Sequence, residues 1–449
     1  MASFDPTTMA TQLATAYTQP TQLLLDKQTK TTSATSTALS KLQSALKAFD
    51  TALDGLSGKK SLQQFSATVS GGSNFTASAS STAAPGTYSL FVEQVATSHQ
   101  IAFQDLPATE AGATGTLKLS LKDGTTVDVA LSTADLDGNG TLSYAEIARA
   151  INGDDQNSGK ITASVATVNG KTQLLLSSGV SGKDGEITVA ATGTTLDTEL
   201  NAAPTVLTQA QNAIAYLGGA GGIKIEQGSN TITAIAGVSV TLTSPQAAGS
   251  AALTLTVAQD STATQANVKS FIDAYNTLEK TLDDLTAVGK DGAASATFAS
   301  DAGVRSLRSR LSNILRQDFG GLTLRDLGIN ADRAGQLSLD STKLGKTLAT
   351  KPDALDQVFG STSVSAPSGA MGAFSKVLDS WTDITKGQIK QRQTTVQGQQ
   401  KAISDRQARL DRQYNDAYTR YLKQFSALQT LQSQLSDTTS MLSALGTTS

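Results

Sequence analysis

One twelve-residue segment carries the side chains best suited to chemistry in this chain of 449 residues. Oxygen donors stand at its first, third, fifth, seventh and twelfth positions: Asp135, Asp137, Asn139, Thr141 and Glu146. Gly140 falls at the sixth position, where a calcium loop makes its sharp turn. A hard cation needs several oxygens converging on one point, and this spacing is that of the helix-loop-helix calcium loop. The segment is therefore a candidate structural calcium site.

The same loop has a second interpretation that needs no metal. The residues that enter it, Thr125–Ser132, alternate like a strand rather than a helix, and the chain has no second loop of this type. An Asx-rich turn in which Thr141 or Ser143 caps the helix Tyr144–Ile151 also fits the residues. We expect no required cofactor under either interpretation.

Composition excludes several classes of catalytic site. The chain has no cysteine, which rules out thiol nucleophiles, disulfides and cysteine-ligated metals. His99 is the only histidine, and its position after the strand Ser89–Val95 predicts a surface or half-buried side chain. No carboxylate pair, nucleophile with an adjacent base, or nucleotide-binding loop emerges from the remaining residues. We expect a structural protein rather than an enzyme.

Charge and hydropathy exclude two classes of partner. The chain has 35 basic and 38 acidic residues, and no run of Lys and Arg is concentrated enough to bind a nucleic-acid backbone. Residues 1–30 lack the basic start and apolar run of a signal peptide, and no stretch of about 18 apolar residues could span a bilayer. We expect no membrane span and no cleavable signal.

Seven-residue repeats predict a long helix near each end of the chain, the two forming either an intramolecular coiled coil or a pair of ordinary amphipathic helices in a bundle. Either arrangement would bring the two ends together. Polar Gln residues interrupt the C-terminal repeat at 393, 400 and 407, and such residues weaken a helix pair while fixing its register. They indicate either a frayed helix or one that orders fully only in an assembly. The expected contacts of this helical leg are Leu39, Leu42, Leu46, Phe49, Ile403, Leu410, Tyr414, Tyr421, Phe425 and Leu428.

The middle of the chain alternates with the two-residue period of strands. Clear strand patterns lie at Thr87–Val92, Ile161–Val168 and Val238–Leu242. Asn169-Gly170 separates two such patterns and predicts a two-residue hairpin turn. From Ser261 onward the pattern returns to helices, so a β-rich region is inserted between helical ends.

A series of short motifs, taken together and in this order, is similar to the flagellar hook-associated protein 2 family, the filament-capping proteins. The first is Gly86–Ala96, which resembles that family's first head strand. The others are Ser270–Leu278, Leu324–Ile329, Gly335–Asp340, Lys343-Leu344, Pro352–Phe359 and Tyr421–Leu428. The resemblance covers 23–105 and 204–445 well, and 106–203 more loosely.

The resemblance implies a cap at the distal tip of the bacterial flagellum. It implies a homo-oligomeric ring of four to six subunits, beneath which exported flagellin folds and inserts. Its further implied partners are the hook-filament junction proteins, a flagellar export chaperone and, for some members, host mucin. It implies export through the flagellar type III apparatus, and it transfers no catalytic residue.

The expected fold class is α+β and multidomain, with long terminal helices forming a coiled-coil leg and a two-domain β-rich head between them. We expect a leg at 1–45 and 401–449, flexible when isolated, and a helical stalk at 46–75 and 258–400. We expect an inner β domain at 76–105 and 204–257, and an outer one at 106–203 that holds the calcium-like loop. The alternative function is a surface adhesin with a coiled-coil stalk and a calcium-stabilised head.

Overall fold

The computed structural model describes residues 5–59, 61–104, 106, 109–110, 115–193, 197–290, 293–363 and 365–446. These residues form two compact units. The helical unit comprises Met1–Leu62 and Gln265–Ser449, and the β unit comprises Gln63–Thr264. The protein is thus an α+β chain in which a β-rich segment is inserted between helical ends. The finer division into four domains stays a prediction.

The helical unit is built from long and short helices and one small hairpin. Elements are numbered along the whole chain. The helices are α1 (Pro6–Ser57), α4 (Ser261–Thr286, whose first turn belongs to the β unit), α5 (Ala302–Ile314), α6 (Ser341–Thr350), α7 (Ala354–Phe359), α8 (Gly369–Thr382) and α9 (Gln388–Gly446). The hairpin pairs β18 (Ile329–Ala331) with β19 (Leu337–Leu339).

Helix α1 begins much earlier than the sequence pattern indicates. The periodicity becomes visible only from about Leu23, yet the helix starts at Pro6 and continues through Pro20. The Asp5 carboxylate accepts hydrogen bonds from the backbone N–H groups of Thr7 and Thr8, and Pro at the first helical position has no N–H to leave unpaired. Packing against α9 sustains this polar stretch where propensity alone would not.

The core of the helical unit is centred on aromatic rings. Phe271 meets Phe359 edge-to-face with ring centroids 5.1 Å apart, and Phe49 meets Phe374 in the same way at 5.4 Å. Tyr275 contacts three of these rings, with centroid separations of 5.9 to 6.5 Å. Such pairs add to the free energy gained by burying the rings. The aromatic cluster ties α1 to helices that lie more than 200 residues further along the chain.

The β unit contains two antiparallel sheets of four or more strands. The larger sheet has the order β1-β17-β3-β13-β14 and the next has the order β12-β4-β10-β9. Smaller sheets have the orders β11-β6-β7, β15-β16-β2 and β5-β8. The short helices α2 (Tyr144–Gly153) and α3 (Asp197–Leu200) and the 3₁₀ turns Leu131–Thr133 and Lys183–Gly185 complete the unit.

The strands of the β unit have the following bounds, in chain order. They are β1 (Phe65–Ser70), β2 (Phe75–Ala79), β3 (Gly86–Gln94), β4 (Ser98–Gln104), β5 (Thr109–Glu110), β6 (Thr116–Leu121), β7 (Thr126–Ala130), β8 (Thr141–Leu142), β9 (Ile161–Val168), β10 (Lys171–Ser181), β11 (Ile187–Thr192), β12 (Thr205–Thr208), β13 (Ala213–Leu217), β14 (Ile223–Gln227), β15 (Thr231–Ile232), β16 (Val238–Leu242) and β17 (Leu253–Gln259).

In the described part of the β unit, two mainly aliphatic clusters form the core. One lies between α2 and the strands from β4 to β11, and includes Ile101, Leu119, Val127 and Leu174. The other lies between the strands of the large sheet and those of the β15-β16-β2 sheet, and includes Leu255. No helix in the described part of the chain has the length and apolar character needed to cross a membrane.

Candidate functional site

The two terminal helices pack against each other along an antiparallel seam. Leu39, Leu42, Leu46 and Phe49 of α1 are buried in the core of the helical unit. On α9, a seven-residue series is buried: Ile389, Val396, Leu410 and Ala417, with Ile403 half-buried between them. The spacing places one stripe of each helix against the other.

The remaining leg residues grow more exposed toward the C-terminus. Tyr414, Tyr421 and Phe425 are half-buried, and Leu428 is 49 % exposed. The structure therefore places the four α1 residues in the core of the helical unit, buries Leu410 on α9 outside that core cluster, and leaves Leu428 exposed. The role of these ten residues in contacts between copies stays a prediction.

A reciprocal pair of amides crosses the seam where apolar residues would be expected. Gln407 Nε2 donates to Gln22 Oε1 at 2.9 Å, and Gln22 Nε2 donates to Gln407 Oε1 at 3.3 Å. Each amide also donates to an aspartate four residues further along its own helix, Asp26 or Asp411, at 2.9 Å. A second amide bond joins Gln393 to Gln43 at 2.9 Å. The sequence pattern identified the α9 glutamines but gave no signal for their α1 partners.

The last turns of α9 extend beyond the start of α1. Because Gln22 lies against Gln407, the first residue of α1 reaches only to about residue 423 of an antiparallel helix. The segment beyond that point presents large apolar side chains to solvent: Leu428, Leu431, Leu435, Met441 and Leu442, each between 49 % and 69 % exposed. We call residues 425–446 the α9 overhang. A helix with such a stripe needs a partner to bury it.

The calcium-like loop brings its carboxylates together. Ligand oxygens of Asp135, Asp137 and Glu146 lie within 4.8 Å of one another. The Asp135 carboxylate accepts the Gly138 and Gly140 N–H groups at 2.8 and 3.1 Å, which folds the loop around it. Strand β8 follows the turn and pairs with β5, so Leu142 occupies the small β-contact that such loops make.

Asn139 and Thr141 also lie in the loop, and they are hydrogen-bonded to each other. Asn139 Oδ1 accepts hydrogen bonds from the Thr141 N–H and hydroxyl, both at 2.8 Å. The amide Nδ2 of Asn139 donates to Asp137 at 2.8 Å. The loop thus folds by Asx turns, as the metal-free interpretation requires, while its oxygens stay grouped.

Glu146 is already occupied by protein donors. One carboxylate oxygen accepts the Ser143 N–H at 2.9 Å and the Ser143 hydroxyl at 2.8 Å, and the other accepts the Leu136 N–H at 3.0 Å. The hydrogen bond from the Ser143 backbone, then those from the Ser143 hydroxyl and the Leu136 backbone, lower the pKa of Glu146 to about 2. Ser143 in turn caps α2, so a cation at this loop would compete with a capping box for Glu146.

His99 is buried, contrary to the surface or half-buried position expected from the sequence. It is 7 % exposed on β4, a strand that the sequence pattern did not reveal. Its Nδ1 accepts the Ile187 N–H at 2.9 Å, and burial lowers the pKa of the imidazole, with Glu186 acting in the opposite direction. This hydrogen bond requires the neutral ring and joins β4 to β11.

Comparison with known proteins identifies the chain's relatives. Two family models match: the flagellar hook-associated protein 2 C-terminus over residues 210–437 and the corresponding N-terminus over residues 2–99. The lateral flagellar hook-associated protein 2 of Vibrio parahaemolyticus is 35 % identical over 98 % of this chain and 100 % of its own length. The A-type flagellar hook-associated protein 2 of Pseudomonas aeruginosa is 28 % identical over 97 % of this chain and 94 % of its own.

A solved structure shows the same fold. The crystal structure of the D1-D2-D3 domains of the Escherichia coli flagellar cap protein FliD superposes with a TM-score of 0.65. It is 26 % identical and covers 80 % of this chain and 99 % of that chain. None of these three relatives carries an adhesin description. With the family models and the full-length relative in agreement, the chain belongs to the flagellar hook-associated protein 2 family.

Proposed function

We propose that this chain is a structural, non-enzymatic protein that caps the distal tip of the bacterial flagellar filament and promotes the insertion of exported flagellin. The observation that carries the proposal is the match to the solved flagellar cap protein over nearly all of that chain. The relatives named above, all flagellar hook-associated proteins, support it.

The leg geometry suits a cap that moves as the filament grows. The α9 overhang exposes a leucine stripe that a neighbouring helix at the filament tip would cover. The Gln22–Gln407 and Gln43–Gln393 contacts place polar groups in the α1–α9 seam. Exposing these groups to water costs less free energy than exposing apolar side chains would. A leg built this way can detach from one flagellin subunit and bind again to the next.

Further partners belong to the same proposal. The copies form a ring of four to six subunits, and the ring meets flagellin and the hook-filament junction proteins. A flagellar export chaperone covers the C-terminal helix before export through the flagellar type III apparatus, without a cleavable signal. The ring acts outside the cell at the filament tip, and binding to host mucin is its proposed contribution to adhesion.

Truncation of the overhang tests the proposal. A chain ending at residue 424 keeps every buried position of the α1–α9 seam, so its helical unit should fold normally. We expect cells that produce it in place of the full chain to secrete flagellin monomer into the medium and to lack long filaments. Immunoblotting of the medium and electron microscopy of the cells measure both effects.

A matched control changes exposed polar residues of the same segment. Ser433 and Ser440 are exposed residues of the overhang that lie off the leucine stripe, and the double change Ser433→Ala and Ser440→Ala leaves the stripe intact. This variant should support normal filaments. Wild-type filament growth by the truncated chain would contradict the proposed role of the leg, and an adhesin would keep binding its target in cells without flagellin.

We also propose that the 135–146 loop holds a structural calcium ion. Three carboxylates converge in this loop, whose strand β8 pairs with β5, and their convergence favours calcium binding. Asp135, Asp137, Asn139 and the Thr141 carbonyl would hold the ion, and Glu146 would complete the site by exchanging its bonds to Ser143 and Leu136.

Titration calorimetry of the full chain with CaCl₂ tests the site. We expect calcium binding and calcium-dependent protection of the loop from proteolysis, and we expect Asp135→Asn with Asp137→Asn to abolish both. Asp154→Asn with Asp155→Asn, two acidic residues outside the loop, is the control. No heat at millimolar calcium would show that the loop is an Asx turn only.

A further inference from the structure

One sheet of the β unit leaves part of an edge strand open. In the order β12-β4-β10-β9, strand β9 has β10 as its one neighbour among the described strands, through a register that runs from Lys171 opposite Val168 to Ser178 opposite Ile161. Unpaired backbone groups at such an edge can bind another strand, and proteins usually block them.

Two asparagine side chains block the first half of the β9 edge. The Asn157 side chain donates to the Ile161 carbonyl at 2.7 Å and accepts the Ile161 N–H at 2.8 Å. The Asn152 side chain makes the same two bonds to Ala163, at 2.7 and 2.8 Å. Each amide satisfies the backbone groups that a neighbouring strand would otherwise bind.

The second half of β9 has no such cover. Backbone groups alternate between the two sides of a strand, so the outward direction of Ile161 and Ala163 is shared by Val165 and Thr167. Among the described residues no hydrogen bond reaches the outward groups of these two. Val165 and Val168 are 39 % and 49 % exposed, and they lie on opposite faces of the sheet. This half of the edge therefore combines free backbone groups with apolar side chains.

The other edge of the same sheet has matching properties. In the part of the chain that the structure describes, strand β12 pairs only with β4, across a bulge between Val206 and Thr208. Val206 and Leu207 are 46 % and 50 % exposed. The two edges of one sheet thus each present two exposed aliphatic side chains, and antiparallel or parallel addition of one edge to the other would cover all four.

The open half of β9 and the segment before β12 carry charges of opposite sign, while Asp154-Asp155 precedes the blocked half of β9. Lys160 immediately precedes β9 and Lys171 follows its turn. Asp197 and Glu199, on the short helix α3, lie before β12. A β9 edge meeting a β12 edge brings these groups toward each other, whereas β9 meeting β9 would bring lysines together.

We propose that the open half of β9, residues Val165–Val168, adds to strand β12 of a second copy of this chain. The contact is heterologous, since one edge meets a different edge, and a heterologous contact that closes makes a ring. The proposal rests on the cap function, because it names the surface through which the copies of the cap would join.

Mixing of cysteine variants tests the contact, since the natural chain has no cysteine to interfere. One full-length variant carries Val165→Cys and the other Val206→Cys. Under mild oxidation we expect a disulfide-linked dimer from the mixture and none from either variant alone, because the proposed contact places the two positions on adjacent strands. Thr162→Cys, an exposed position on the blocked half of β9, should give none with Val206→Cys.

A proline variant provides a second measurement. Thr167→Pro removes an outward N–H and leaves the bonds to β10 in place, since only the inward residues make those bonds. We expect the variant to keep the circular dichroism spectrum of the wild type and to lose ring assembly in analytical ultracentrifugation. Wild-type assembly by this variant would overturn the proposal.

The outcomes separate this proposal from the cap function. Cross-linking of Val165→Cys by itself would mean that β9 meets β9, and absence of any cross-link together with wild-type assembly by Thr167→Pro would mean that the ring joins elsewhere; either overturns the strand contact. In both cases, ring-shaped particles in electron micrographs and normal filament growth would leave the cap function standing. Normal filament growth in cells that lack the protein would instead remove the cap function itself.

Discussion

The helical unit and the β unit use different means to reach a stable core. In the helical unit five aromatic rings meet at one point, drawn from α1, α4, α7 and α8. In the β unit the cores are mainly aliphatic, with one buried phenylalanine in each, and the side chains of Asn152 and the buried Asn157 complete the hydrogen bonding of a strand edge. Removing one ring should therefore affect many helices, whereas removing one asparagine should affect one edge.

The units also differ in charge, which the balance of the whole chain conceals. The segments of the helical unit contain 28 basic and 22 acidic residues, and those of the β unit contain 7 and 16. The net charge of −3 for the chain is the small difference between two larger and opposite values. The net charge of each unit, rather than that of the whole chain, therefore indicates which charged partners the unit would attract.

Loss of an aromatic ring should have the largest effect and should be confined to the helical unit. Phe271→Ala removes a fully buried ring that contacts Phe359 at 5.1 Å and Phe374 at 5.9 Å. We expect the free energy of unfolding of this unit to fall by about 3–5 kcal/mol. Hydrogen exchange measured at the level of peptides should show that the amides of α4, α7 and α8 lose protection. The exposed control Leu24→Ala should change little, and equal loss in both units would contradict the comparison.

Loss of an edge asparagine should have a smaller effect, confined to the β unit. Asn157→Ala leaves two carbonyls and one N–H without partners, those of Ile151 and Ile161. We expect a cost of about 2–3 kcal/mol, measured by urea denaturation. Gln156→Ala, at the exposed neighbouring position, is the matched control. The same cost for both variants would show that the amide bonds do not stabilise the edge.

The Gln22–Gln407 contact in the leg should show a measurable coupling free energy between its two residues rather than a large contribution to stability. Gln22→Leu or Gln407→Leu alone leaves the partner amide facing an apolar side chain, whereas the double change pairs two leucines. We expect a coupling free energy of about 0.5–1.5 kcal/mol in a double-mutant cycle. Additive effects of the two changes would mean that water, not the partner amide, satisfies each glutamine.

The smallest expected effect is the pH dependence of stability that the His99 side chain causes. Burial lowers the pKa of His99 in the folded protein, so the unfolded chain takes up a proton first as the pH falls. The contribution of the neutral ring to stability is therefore fully present above the ordinary pKa of 6.5. It is lost as the pH falls from 6.5 toward the lower pKa of the folded protein. The difference between the melting curves of the wild type and His99→Gln isolates this effect from the carboxylates. A difference independent of pH between 7 and 5 would contradict it.

Local patterns predicted much of the leg and several turns. The heptad spacing identified Leu39, Leu42, Leu46, Phe49 and Leu410 as buried, and the structure confirms their burial. Asn169-Gly170 predicted the turn between β9 and β10, where Asn169 has φ 52°. These features depend on residues a few positions apart, which is why periodicity and turn chemistry reveal them.

The sequence by itself determined where the long helices carry their apolar stripes and which segment could gather oxygen ligands, since both follow from spacing along one element. Only the tertiary structure decided that β1 lies beside β17, nearly 190 residues away, and that His99 is buried on β4. It also decided that Asn152 and Asn157 cover half of β9 and that Gln22 meets Gln407. Contacts of this kind join residues distant in the chain, and no local pattern encodes which of many polar or β-forming residues will be neighbours once the core has closed.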